Sequence, residues 1–147
     1  GGNTHAADYD RVYPTSEPIP WRVARNADPE WVKFYGQSET TPNGYFTGPA
    51  GSFVYSDLVL PLAYRGNHFI CSPANNLVHR SVLTRDGAGF RAERAPGEQE
   101  SEFLTSTDRW FRPISLEMGP DGTLYIVDFY REIIEDYSAI PRHLQQP

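Results

Sequence analysis

Cysteine is almost missing from this sequence, since Cys71 is the only one among 147 residues. A single thiol cannot form an internal disulfide, a cysteine zinc site or a Cys-x-x-Cys-His haem attachment. Its apolar neighbours Phe69 and Ile70 predict that this thiol is buried. The chain is therefore not a disulfide-stapled scaffold, and its core has to form without cross-links.

Positive charge and long hydrophobic runs are scarce too. Lys and Arg together number 13 against 19 Asp and Glu, the net charge is -6, and no two Lys or Arg residues are adjacent. A protein that binds nucleic acid presents a clustered basic surface, so we predict no nucleic-acid partner. Hydrophobic segments of about 18 residues, the length that spans a bilayer, are missing, so we predict no membrane-spanning segment.

Methionine is also scarce, and several catalytic motifs are missing. The only methionine is Met118, so the chain does not begin at an initiator residue, and we expect a processed product or a piece of a longer protein. The N-terminus also shows no signal-peptide pattern. The sequence has no Gly-x-Ser-x-Gly nucleophile elbow, no Gly-x-x-x-x-Gly-Lys phosphate loop and no His-Glu-x-x-His zinc motif. Serine-hydrolase, nucleotide-hydrolase and zinc-protease chemistry therefore have no support.

Turn-forming residues are abundant, with 13 Pro and 12 Gly. Residues 1–52 are dense in Pro, Asp, Asn and Thr and predict an irregular loop-rich segment, with one helical turn at 28–34 capped by Asp28. The second part, 53–147, predicts short strands separated by turns. These strands are predicted at 53–60, 68–72, 77–83, 90–94, 103–106, 114–118 and 123–129.

Two of the predicted hairpins resemble each other. When Phe69 is placed over Leu124, a Gly-containing turn, an apolar strand, a polar break and a second strand all align. The clearest turn is GPDG at 119–122, where Pro120 is preset for the first central position of a type I turn. Repeats of about 40 to 50 residues built from short antiparallel strands are typical of β-propeller blades, while a β-sandwich fits the strand spacing nearly as well.

Three motifs carry a resemblance to a known family: YRGN at 64–67, NLVHR at 76–80, and the unit from WFRP at 110–113 to DFY at 128–130. They resemble the last blades of the membrane-bound dehydrogenase-like proteins of planctomycetes and verrucomicrobia. Those proteins are similar to the soluble glucose and sorbosone dehydrogenases of the pyrroloquinoline-quinone type, which are six-bladed β-propellers. The resemblance implies an all-β fragment that contains the C-terminal two to three blades of a six-bladed β-propeller. Residues 1–52 would end a preceding blade and 53–147 would form the C-terminal blades.

The same resemblance implies a function. The parent protein would be a secreted or periplasmic dehydrogenase that oxidises a sugar-like alcohol or aldose. Pyrroloquinoline quinone and calcium would be its cofactors, and a c-type cytochrome would accept the electrons. This chain would contribute pocket-wall residues but not the catalytic base. The alternative is a non-catalytic propeller module that binds a carbohydrate or a protein through aromatic platforms, with Tyr45, Phe46, Trp110 and Tyr130 as candidates.

Arg112 is the main candidate for a cofactor contact, because the related dehydrogenases place arginines just ahead of an inner strand that runs into such a turn. A guanidinium with five donors can hold the carboxylates and quinone oxygens of that cofactor. The alternative is structural, with Arg112 pairing with Asp128 or Asp108 and tethering strand ends. Trp110 stands where the glucose dehydrogenases would have a second arginine, and with Tyr130 it is the candidate substrate contact.

Asn75, Asn76 and Asp128 complete the candidate cofactor-binding set that the resemblance implies. As alternatives, Asn-Asn forms a tight turn because Asn accepts positive φ, and an Asp at a strand end caps a turn. His79 shares a strand face with Ser81, and we expect it to be a hydrogen-bonded structural residue. No residue is assigned as catalytic base, and no metal ligand is assigned.

Overall fold

The computed structural model describes residues 11–30, 33, 46 and 48–134, and strands dominate their secondary structure. The fold is all-β in character, with antiparallel strands and little helix, as the sequence predicts. Within these ranges no helix has the length and apolarity needed to cross a membrane. The elements in chain order are α1 (Pro20–Asn26), β1 (Ala50–Val54), β2 (His68–Ser72), β3 (Leu77–Asp86), β4 (Gly89–Arg94), β5 (Leu104–Thr105), β6 (Pro113–Met118) and β7 (Leu124–Asp128).

The larger sheet is an antiparallel meander in the order β1-β2-β3-β4. Strands β2 and β3 pair from His68 opposite Ser81 to Ser72 opposite Leu77, and the far half of β3 pairs with β4. Strand β5 pairs with the near end of β3, where Leu77 lies opposite Thr105. With its ten residues β3 is thus the central strand, and it carries β4 and β5 along one edge.

Strands β6 and β7 form a separate hairpin whose turn is the GPDG motif. The amide of Gly122 donates to the carbonyl of Gly119 at 2.9 Å, which confirms the turn predicted at 119–122. Gly122 has φ +79°, a left-handed conformation that glycine adopts without the steric cost of a Cβ. The Asp121 carboxylate accepts hydrogen bonds from the amide and the hydroxyl of Thr123, which fixes the turn.

One face of the larger sheet packs on the β6–β7 hairpin and forms the hydrophobic core. Alternation along β2 buries Phe69 and Cys71 on this face. They pack with Val78 of β3, with Tyr55 after β1 and with Leu116 of β6. The burial predicted for Cys71 is confirmed, and desolvation raises the pKa of its thiol to about 11.

Gly51 allows β1 to approach β6 closely. A Cβ placed on this residue would lie 2.6 Å from the Cα of Ser115, a distance that real Cβ atoms essentially never show. Gly51 also has φ +54°, in the left-handed region that favours glycine. Both constraints act on the same residue, so the contact between the two sheets depends on the absence of a side chain here.

On its opposite side the larger sheet contacts the N-terminal segment, 11–30, through side chains of β4 and of the connection before β5. Val12 of this segment is buried, and the amide of Tyr13 donates to Glu102 Oε1 at 3.0 Å. The guanidinium of Arg94 lies 4.8 Å from the centroid of the Tyr13 ring. The larger sheet therefore has packing partners on both faces.

Six of the seven strands lie within three residues of their predicted bounds, but the first does not. The sequence predicts a strand at 53–60, whereas β1 ends at Val54. The Tyr55 amide still donates to the Asn67 carbonyl at 3.1 Å, and the chain turns away after it. The Tyr55 side chain is fully buried, and its hydroxyl donates to the Gly122 carbonyl at 2.8 Å. The same hydroxyl accepts a hydrogen bond from the Leu60 amide at 3.0 Å. The two hydrogen bonds of the buried Tyr55 hydroxyl thus hold residues 55–60 as a loop.

The helical prediction is incomplete. The sequence does not predict α1, because its prolines suggest an interrupted segment. Pro20 begins this helix, at a position where the missing amide N–H has no cost. At the predicted turn 28–34, Asp28 Oδ1 accepts a hydrogen bond from the Glu30 amide at 3.0 Å, which confirms the cap. Part of that turn lies outside the described residues.

Candidate functional site

Three segments meet at one end of the two sheets and bring together all six residues that the sequence singles out. They are the turn after β2 (73–76), the connection before β6 (106–112) and the chain from the last residue of β7 onward (128–132). Side chains of the first two segments hydrogen-bond across these junctions. The six residues are Arg112, Asn75, Asn76, Asp128, Trp110 and Tyr130.

Arg112 is fully buried within this region, with 0% of its surface exposed. Its guanidinium donates to three carbonyl oxygens, those of Pro73 at 2.8 Å, Arg131 at 3.1 Å and Glu132 at 2.8 Å. Burial lowers the pKa of the guanidinium, while nearby carboxylates, Glu132 first, act in the opposite direction. Because the three carbonyls belong to segments far apart in sequence, Arg112 holds the ends of both sheets together.

The tethering role suggested for Arg112 agrees with this geometry, but its partners differ from those expected. The sequence suggests an ion pair with Asp128 or Asp108, whereas the guanidinium hydrogen bonds go to carbonyl oxygens. A guanidinium enclosed in this way does not fit the carboxylates or quinone oxygens of a cofactor. In the described part of the chain, no group of three or more His, Cys, Asp or Glu could hold a metal ion.

Asn75 and Asn76 lie in the turn after β2, and both are buried. Asn76 has φ +56°, a conformation that Asn tolerates better than most residues. Its Nδ2 donates to the Phe111 carbonyl at 2.5 Å, and its Oδ1 accepts the Ser16 hydroxyl at 2.7 Å. Asn75 Nδ2 donates to Ser72 Oγ at 2.8 Å. The turn interpretation is confirmed, and Asn76 also joins the N-terminal segment to the connection before β6.

Asp128 caps the chain reversal after β7. Its Oδ1 accepts hydrogen bonds from the Arg112 amide at 2.7 Å and from the Tyr130 amide at 2.9 Å. The turn-capping interpretation is therefore confirmed. The second of these bonds holds Tyr130 at φ +42°, in the left-handed region that an aromatic residue rarely adopts.

Trp110 and Tyr130 present their rings on the surface beside this buried framework. They are 46% and 56% exposed, their ring centroids lie 5.8 Å apart, and the ring planes are tilted by 56°. The Asp108 carboxylate accepts a hydrogen bond from the Trp110 amide at 2.9 Å. A hydrogen bond to Asp108 also raises the pKa of the Tyr130 hydroxyl. We call Trp110, Tyr130 and Asp108 the aromatic surface.

A second network lies beneath the N-terminal segment and involves His79. Its Nδ1 lies 2.7 Å from Glu102 Oε2, and its Nε2 lies 3.0 Å from Ser81 Oγ. Phe46, one of the suggested platforms, is half-buried and meets the His79 ring edge-to-face at 5.3 Å. Tyr45 lies outside the described residues. Because His79 is buried and hydrogen-bonded on both sides, its expected structural role is confirmed.

Glu102 is the residue of this network that sequence reasoning missed. Its side chain is 0% exposed and accepts hydrogen bonds from Arg94 at 2.7 Å and from the Tyr13 amide at 3.0 Å. Burial opposes its ionisation, yet hydrogen bonds from His79 and Arg94 lower the pKa of its carboxyl. In the sequence it ends an acidic stretch, 98–102, that is typical of a solvated surface, so no local pattern distinguishes it.

A family model described as a domain of unknown function, DUF7133, matches residues 3–147. No curated protein matches this chain, and no solved structure matches it either. The matched family has no described activity, so the function has to be argued from the geometry above.

Proposed function

We propose that this chain, which belongs to the DUF7133 family, is part of a β-propeller and binds a sugar-like ligand at the aromatic surface. The proposal rests on one observation: two large rings, Trp110 and Tyr130, are exposed side by side above a buried framework. Aromatic rings offer an apolar face to the C–H groups of a pyranose. The Tyr130 hydroxyl and the Asp108 carboxylate can exchange hydrogen bonds with its hydroxyl groups.

The strand arrangement supports the propeller part of the proposal. A propeller blade is a four-stranded antiparallel sheet that packs face to face with the next blade. Strands β1-β2-β3-β4 have this connectivity, and the β6–β7 hairpin packs on them as the first two strands of a following blade would. A residue with a left-handed backbone also follows each of β2 and β7, Asn76 in the first case and Tyr130 in the second. We therefore keep a C-terminal propeller fragment as the proposed architecture.

The dehydrogenase that the family resemblance implies remains a prediction. Its substrates, sugar-like alcohols or aldoses, are the ligand class that the aromatic surface suits, so this surface would serve as a wall of the substrate pocket. Arg112 offers no cofactor contact, and a quinone and calcium would have to be held by other parts of the parent protein. A secreted or periplasmic location and a cytochrome acceptor follow from the same resemblance and stay predictions.

Sugar binding can be measured by NMR titration of the protein with D-glucose and other aldoses. We expect Trp110→Ala and Tyr130→Ala each to weaken binding at least about tenfold, because each removes one stacking face. Phe90→Ala is the matched control. Phe90 is 69% exposed but pairs with Arg85 of β3, roughly 26 Å along that strand from Leu77.

Two outcomes would contradict the proposal. Either no aldose binds to the unmodified protein, or Phe90→Ala weakens binding as much as the two ring variants do. The dehydrogenase prediction needs a separate measurement, in which the full-length parent protein is incubated with pyrroloquinoline quinone and calcium and dye reduction by aldoses is followed. Dye reduction that depends on Trp110 and Tyr130 would support a redox enzyme, whereas sugar binding without dye reduction would support a binding module.

A further inference from the structure

Two residues other than glycine have left-handed backbones in the described part of the chain, Asn76 with φ +56° and Tyr130 with φ +42°. Asn76 lies in the turn after β2, and Tyr130 lies in the turn after β7. Asn tolerates this conformation through its short polar side chain, whereas a larger residue meets steric repulsion between its Cβ and the backbone. The turn after β7 therefore carries a residue type that its own backbone disfavours.

Packing does not account for a tyrosine at position 130. The side chain is 56% exposed, and its ring lies beside Trp110 and its hydroxyl beside Asp108, which are both exposed themselves. Glycine or asparagine would satisfy this turn without the strain. Strained residues that persist at a surface are concentrated at ligand-binding sites, where the strain fixes a side chain in its working position.

Asp128 is the residue that holds Tyr130 in this conformation. Its Oδ1 accepts the Tyr130 amide at 2.9 Å and the Arg112 amide at 2.7 Å. Because Arg112 is buried and bonded to three carbonyl oxygens, Asp128 is anchored to a rigid part of the molecule. The Tyr130 ring is thus oriented before a ligand arrives, which reduces the entropy lost on binding.

We propose that the left-handed backbone of Tyr130 is maintained for ligand binding at the expense of stability, with Asp128 as the positioning residue that holds the ring beside Trp110. This inference rests on the proposed function for the nature of the ligand, a pyranose bound at the aromatic surface. It adds a prediction that the proposed function does not make. Removing the Tyr130 side chain should stabilise the protein while it abolishes the ligand site.

The substitution Tyr130→Gly tests directly whether the Tyr130 side chain lowers stability and supports ligand binding. Thermal unfolding should give a Tm about 2–4 °C higher than that of the unmodified protein, because glycine adopts this backbone without strain. Binding of D-glucose, followed by NMR titration, should weaken at least about tenfold. Phe129→Gly is the matched control: Phe129 is 49% exposed and its φ is not positive, so the same substitution should lower the Tm.

Two variants of Asp128 test the positioning role. Asp128→Asn keeps an Oδ1 acceptor for both amides and should bind D-glucose within about twofold of the unmodified protein. Asp128→Ala removes the acceptor and should weaken binding several-fold. The near-ultraviolet circular dichroism of the Trp110–Tyr130 pair should change in Asp128→Ala and be restored in Asp128→Asn, independently of any ligand.

The outcomes separate the two proposals. A lower Tm for Tyr130→Gly than for the unmodified protein would show that the ring stabilises the fold, and this inference would be overturned whatever the ligand. Equal binding by Asp128→Ala and Asp128→Asn would overturn the positioning role. If Tyr130→Gly has a raised Tm but the unmodified protein binds no aldose, the proposed function is overturned. The inference that Tyr130 lowers stability in order to position its ring is then supported.

Discussion

The guanidinium of Arg112 donates to the carbonyl oxygen of Pro73 across 2.8 Å, and the two residues are 39 positions apart in the chain. This bond links the turn after β2 in the larger sheet to the start of β6 in the hairpin. Two further carbonyls after β7, those of Arg131 and Glu132, accept the remaining guanidinium hydrogen bonds. One buried cation thus satisfies acceptors that would otherwise be left without partners where the two sheets meet.

We expect Arg112→Leu to lower the free energy of unfolding by about 3 kcal/mol or more, because it leaves three carbonyl oxygens without their donor. Urea unfolding followed by fluorescence measures the loss. Arg109→Leu is the control, since Arg109 forms a partly exposed ion pair with Glu17 and should cost less than about 1 kcal/mol. Equal stability of the Arg112→Leu variant and the unmodified protein would show that the tether is unimportant.

The contact between β1 and β6 gives a second prediction, through Gly51. We expect Gly51→Ala to destabilise the protein by about 2 kcal/mol or more, because the new Cβ would collide with the Ser115 backbone in addition to straining φ. Gly48→Ala measures the cost of the left-handed backbone alone, since Gly48 has φ +59° and a Cβ added there would have no atom within 4 Å. Denaturant unfolding of both variants should therefore show the larger loss for Gly51→Ala. Equal losses would mean that the sheets do not approach closely at this residue.

Glu102 makes the stability of the fold dependent on pH. Its pKa is lowered in the folded protein by hydrogen bonds from His79 and Arg94, which outweigh the opposing effect of burial. The stability that it contributes is therefore present above its unfolded pKa of about 4.3 and is lost as the pH falls through the lower folded value. We expect Tm to fall on acidification below about pH 4.5, and Glu102→Gln to make this decline shallower.

The same Glu102→Gln variant should be less stable at neutral pH, by roughly 2 kcal/mol, since the amide forms weaker bonds to Arg94 and to the Tyr13 amide than the carboxylate does. Differential scanning calorimetry at several pH values measures both effects. A Tm that declines equally steeply in both proteins would show that another carboxylate carries the acid sensitivity.

Cys71 reports on opening of the core. Burial raises the pKa of its thiol to about 11, so at pH 8 the thiolate fraction is roughly two orders of magnitude below that of a free cysteine. We expect iodoacetamide to label the folded protein slowly and the guanidinium-unfolded protein rapidly. A variant with Cys71→Ser and Ser101→Cys moves the thiol to an exposed position and should be labelled rapidly when folded. Rapid labelling of native Cys71 would contradict its burial.

Local patterns in the sequence predicted much of the fold. Strand β2 has the bounds predicted for it, and the turn at 119–122 closes as its composition indicated. Both depend on neighbouring residues, through side-chain alternation and through the fixed φ of Pro120. The loop after β1 could not be predicted in this way, because it depends on a hydrogen bond from Tyr55 to Gly122, 67 positions away.

The sequence by itself determined most of the strands, the turn at 119–122 and the burial of Cys71, since these follow from local composition and spacing. The choice of Arg112, Asn76 and Tyr130 as candidates came from the family resemblance. Only the tertiary structure decided their partners. It placed the Arg112 guanidinium on carbonyl oxygens, buried Glu102 and left the rings of Trp110 and Tyr130 in solvent. The physical reason is that hydrogen-bond partners and burial are set where segments distant in sequence meet, and no local pattern encodes that meeting.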